Sequence, residues 1–100
     1  MKQHSKNLGL IGLANKAGKV KIGRSAVEKS IHENKAKLLV FAEDASPKVI
    51  VYFNSISEGK NIPTLHTANK KLLGKHFGRG EVAVASICDD NFAKGLLKSC

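Results

Sequence analysis

The hydrophobic residues of this chain switch repeatedly between a helical period and a strand-like one, and few architectures accept that alternation. Leu10, Leu13, Ala14 and Ala17 recur at i, i+3, i+4 and i+7, one face of a helix that Gly18 closes. Val20-Lys21-Ile22 alternates as a short strand. Gly23 opens a second helix, with Val27, Ser30 and Ile31 inward and Glu28, Lys29, His32 and Glu33 outward. The unbroken apolar run Leu38 to Ala42 is the pattern of a strand covered on both faces. Ser46-Pro47 pairs an N-cap with proline at the first helical position. The β-branched stretch that follows would favour a strand by propensity. Its Val49, Phe53 and Ile56 nevertheless keep helical spacing up to Gly59, which predicts a helix. Ile62 to Leu65 is a further strand; 68–77 is a helix with Leu72, Leu73, His76 and Phe77 at helical spacing; Val82 to Ile87 is an apolar strand. Asp89 or Asp90 caps a last helix carrying Phe92, Leu96 and Leu97. Helices and strands in strict alternation predict an α/β fold, a three-layer α/β/α sandwich. The 100 residues hold no repeat and no linker, so residues 1–100 are expected to form a single domain.

Charge narrows the partner. Seventeen Lys and Arg stand against eight Asp and Glu, a formal +9. The excess is local: residues 1–37 carry +7 and residues 70–80 carry +4, while 38–69 and 81–100 carry −1 each. If the fold joins the two basic segments they make one face for a polyanion. No apolar run approaches the roughly 20 residues of a membrane span. The lysine-rich start leading into Leu8 to Ala14 has a faint look of a signal peptide, but its apolar part is short and Asn15-Lys16 stands where small residues should mark cleavage. Cys88 and Cys100 form no CxxC and no metal spacing, as expected of free thiols in a reducing cytosol. Cys88 reads as a small core residue and Cys100 as a terminal thiol able to cross-link oxidised preparations.

Motifs for catalysis are missing. Gly12 to Gly18 imitates a phosphate loop, but five residues separate the glycines rather than four, and Val20 stands where a hydroxyl would meet Mg²⁺. Gly78-Arg79-Gly80 lacks the third glycine of a dinucleotide fingerprint. His4, His32, His66 and His76 are scattered, and Asp89-Asp90 is explained by helix capping. No enzymatic activity and no cofactor is expected. By contrast, Lys19 to Lys29 is a basic strand running into a helix N-terminus, whose free amides favour a phosphate oxygen. Aromatic residues are 5% of the chain and there is no Trp, which disfavours a platform stacking single-stranded bases. Contact with the backbone and shape of a folded nucleic acid fits better.

The run Ala14 to Lys29 resembles the same stretch in the kink-turn RNA-binding ribosomal protein family, the large-subunit proteins of the seven-Ae and thirty-e type. The resemblance continues in order through Ala36 to Pro47, Ile62-Pro63, Leu73-Gly74-Lys75 and Glu81 to Ser86, and is strongest to small bacterial ribosomal-protein-like members. It implies a four-stranded mixed sheet and an RNA site that joins the start of the second helix to the loop before the last strand. By that resemblance Gly23 lets the backbone approach RNA, Lys29 contacts phosphate or base, and Lys19 and Lys21 are basic positions on the preceding strand. Arg24 and Arg79 add phosphate contacts. Gly80, Glu81, Val82 and Ala83 form the loop whose apolar side packs an extruded base. Ser25 and Ala26 stand where strong kink-turn binders carry a polar Asn-Glu pair. Ala26 offers no side-chain hydrogen bond, so the resemblance implies structured-RNA binding with a base-reading partner missing. The expectation is a monomeric, cytoplasmic, ribosome-associated protein. The alternatives are an accessory substrate-binding module of an RNA-modifying enzyme and an adaptor for an acidic protein.

Overall fold

The computed structural model describes residues 2–98, with side chains from Leu8 onward; Cys100 lies outside the described residues. The elements are α1 (Lys2–Lys16), β1 (Val20–Ile22), α2 (Arg24–His32), β2 (Leu38–Phe41), α3 (Pro47–Ser57), β3 (Thr64–His66), α4 (Lys70–His76), β4 (Val84–Ile87) and α5 (Asp90–Lys98). The strands form a mixed sheet in the order β1-β4-β2-β3. β4 runs antiparallel to both neighbours, with Lys21 opposite Ser86 and Val40 opposite Ala85, and β3 runs parallel to β2. β2 and β4 are therefore central and buried at every position.

Strand alternation sorts the core into two halves. Leu38, Val40, Ala85 and Ile87 face one side and pack with Leu8, Ile11 and Ala14 of α1, Leu73 of α4, Phe77 and Leu96 of α5. Leu39, Phe41 and Val84 face the other and pack with Val27 and Ile31 of α2 and Phe53 of α3. The sheet lies between a layer of α1, α4 and α5 and a layer of α2 and α3, as the alternation predicts. Each large apolar side chain buried here contributes about 1.5–3 kcal/mol. α2 is also pinned by polar contact. The Ser30 hydroxyl donates to the Val27 carbonyl at 2.6 Å and lies 2.8 Å from the Ser86 hydroxyl, both serines being buried.

Several local expectations change. α1 turns Leu8, Ile11 and Ala14 inward, with Leu10 partly buried, whereas Leu13 is 56% exposed and Ala17 is exposed. Leucines and isoleucine surround that helix, so spacing alone does not fix its inner face; packing on α5 does, where Leu10 lies beside Gly95. His76 is exposed and Cys88 only partly buried. β4 begins at Val84, because the Val82 amide donates to the Lys70 carbonyl at 3.0 Å instead of to the sheet. The cap of α5 is Asp89, whose carboxylate accepts from the Phe92 amide at 3.0 Å. The cap of α3 is Ser46, accepting from the Val49 amide, with Pro47 behind it.

Candidate nucleic-acid interface

β1 ends at Gly23, whose φ of 92° and ψ of 164° suit glycine alone. The Gly23 amide donates to the Val84 carbonyl at 3.2 Å, and its carbonyl accepts from the Val27 amide at 3.0 Å. Gly23 is thus the N-cap of α2 without a capping side chain, and the first-turn amides of Arg24 to Ala26 face outward uncovered. Directly across stands the loop 78–83. The Arg79 amide donates to the Gly74 carbonyl at 2.7 Å, and the Val82 amide to that of Lys70. Gly74 makes this seating possible: a methyl group there would overlap the Gly80 carbonyl and stand 3.0 Å from the Arg79 carbonyl oxygen.

Between these two walls opens a cleft of about 340 Å³. Its floor is apolar, from Ile22, Val49, Val82, Ala83 and Val84. Its rim carries Arg24, Lys70 and Arg79, with the Ser46 hydroxyl and the Glu81 carboxylate. No described residue pairs with the Glu81 side chain. Lys70 is fixed at the start of α4, where its amide donates to the Asp44 carboxylate at 2.8 Å.

Of the residues singled out from sequence, Gly23, Arg24, Arg79, Glu81, Val82 and Ala83 line this cleft. Gly80 lies beside it on Gly74, and Ser25 and Ala26 form the adjoining first turn of α2. Lys21 is exposed at the sheet edge on the α2 side, and Lys29 is exposed on α2, so both flank the cleft. Lys19 stands at the other end of β1, four residues or roughly 13 Å from Gly23, with its carbonyl accepting from the Cys88 amide. Ser46, Val49 and Lys70 also line the cleft, although the sequence marks the first two only as helix signals. Lys70 belongs to the +4 segment, which is the one sequence signal that pointed to it. Glu28, behind Lys29, lies 3.6 Å from His32 and takes a hydrogen bond from Tyr52. That bond, with smaller contributions from desolvation and the Glu28 charge, raises the Tyr52 pKa above its ordinary 10.0. Among the described residues no three His, Cys, Asp or Glu side chains are grouped to hold a metal ion, and no helix is long and apolar enough to cross a membrane.

Residues 5–97 match the model of the ribosomal protein L7Ae/L30e/S12e/Gadd45 family. The chain belongs to that family. Among its relatives are the large ribosomal subunit proteins eL8 of Thermoplasma volcanium and Thermoplasma acidophilum, each 38% identical over 95 residues, spanning 94% of this chain and 78% of theirs. Two solved structures share the L7Ae-family fold seen here. A protein of unknown function from Bacillus halodurans superposes with a TM-score of 0.87 at 26% identity, covering 94% of this chain and 95% of its own. The Giardia lamblia 15.5kD RNA binding protein superposes with a TM-score of 0.82 at 22% identity, covering 99% and 85%.

Proposed function

We propose that this chain is a non-enzymatic protein of the ribosome that binds structured RNA, acting in the cytoplasm as a monomer. The observation that carries the reading is the cleft itself. In a chain of this ribosomal family, it unites the uncapped start of α2 with the loop before β4 beneath three cations. Arg24, Lys70 and Arg79 neutralise phosphates at its rim, Lys21 and Lys29 extend the contact along α2, and the apolar floor receives an unstacked base. The relatives are large-subunit ribosomal proteins, and a structural neighbour is an RNA binding protein.

The test is fluorescence anisotropy with an RNA of two stems around a three-nucleotide bulge, titrated at several salt concentrations. Binding is expected to weaken steeply with salt, and Arg24→Ala with Arg79→Ala to cost about tenfold in Kd. A flat salt response, or a double variant that binds as well as the native chain, overturns the proposal.

A further inference from the structure

Glu81 is out of place in a site built for phosphate. It borders the same cleft as Arg24, Lys70 and Arg79, and repels the polyanion they attract. Nor does it serve the fold: it is exposed, and no described residue donates a hydrogen bond to its carboxylate or forms an ion pair with it. The opposite wall lacks an equivalent group, since Ser25 carries only a hydroxyl and Ala26 no polar atom. A free acceptor beside an apolar floor can be satisfied by donors from the ligand.

We infer that Glu81 is the specificity-determining residue of this cleft and selects an unpaired guanine. The inference rests on the RNA-binding reading above. A carboxylate is acceptor-only and presents two oxygens side by side. The Watson–Crick edge of an unpaired guanine presents two adjacent donors, N1–H and the N2 amino group, and meets both oxygens at once. Adenine and cytosine each set one amino donor beside a ring acceptor that the carboxylate repels. Uracil places its single N3–H between two carbonyls. Bases are read on this edge when they are splayed out of a helix. The floor of Val49, Val82 and Val84 would support the ring while Glu81 reads its edge.

The experiment uses the full chain and four RNAs that share two stems and differ in one bulge nucleotide: G, A, C or U. A fifth carries inosine, which keeps N1–H and lacks the N2 amino group. The native protein is expected to prefer G over A, C and U by about tenfold, with inosine between. Glu81→Gln replaces one acceptor by a donor. It should bring the preference for G below about threefold and, by removing a negative charge, tighten binding to the other RNAs by about threefold. Glu81→Ala should likewise lose the preference. A native protein that binds all five RNAs equally, or a Glu81→Gln protein that keeps the preference, overturns the inference and leaves the RNA-binding reading intact. Failure of the native protein to bind any of the five overturns both.

Discussion

Gly74 is the residue on which the seating of loop 78–83 depends. Its missing side chain lets the carbonyls of Arg79 and Gly80 lie against α4. Gly74→Ala forces backbone against backbone, which cannot relax as a flexible side chain would. The variant should lose about 2 kcal/mol, lowering Tm by roughly 10 °C, and should weaken RNA binding as the loop shifts. A Tm and a Kd both at native values would show that the loop is not seated on this helix. Tyr52 supplies a second reading at this scale, because it is the one tyrosine of the chain. Its ultraviolet titration should have a midpoint above 10.0, and Glu28→Gln should bring it back toward that value. The folded pKa lies above the unfolded one. The contribution to stability is therefore fully present below pH 10 and is lost as pH rises through the folded value.

At the scale of elements, α2 carries the cleft wall on one side and the Ser30–Ser86 contact on the other. Ser30→Ala leaves the buried Ser86 hydroxyl only the 3.8 Å contact with the Cys88 sulfur, and should cost about 1–2 kcal/mol in denaturant unfolding. Removing both hydroxyls leaves no stranded donor, so Ser30→Ala with Ser86→Ala should cost less than the two single changes together. Strict additivity would show that the contact contributes nothing. The inner face of α2 was legible from sequence because Val27 and Ile31 stand amid charged residues. α3 was legible for another reason: Ser46-Pro47 sets the start of a helix firmly enough to outweigh the β-branched run behind it. α1 was not, since apolar residues lie on all its sides and only the tertiary partner selects among them.

At the scale of the molecule, the question is which charges the fold gathers. Arg24, Lys70 and Arg79 are far apart in sequence but meet at one end of the sheet. There β1, β2 and β3 finish, β4 begins, and α2, α3 and α4 start. That convergence depends on strand order and direction, which local periodicity does not encode. Ser46 and Val49 are therefore legible in the sequence only as helix signals and Lys70 only as part of a basic segment, while Lys19 is grouped with charges that lie at the opposite end of its strand. With Lys21 and Lys29 flanking the three rim cations, about five phosphates can be met. The logarithm of the affinity should then fall against the logarithm of salt with a slope of roughly −3.5 to −4.5. Three hydrogen bonds, Gly78 to Lys75, Arg79 to Gly74 and Val82 to Lys70, join the loop to α4, a helix of the opposite layer from α2. Loop 78–83 is consequently shaped before any encounter, and little ordering entropy remains to be lost on the proposed association with RNA. An RNA that grips the loop as proposed also holds α4 against fraying, so occupancy of one end of the sheet is felt as protection from hydrogen exchange along α4 beyond Lys70, on turns that the RNA need not touch.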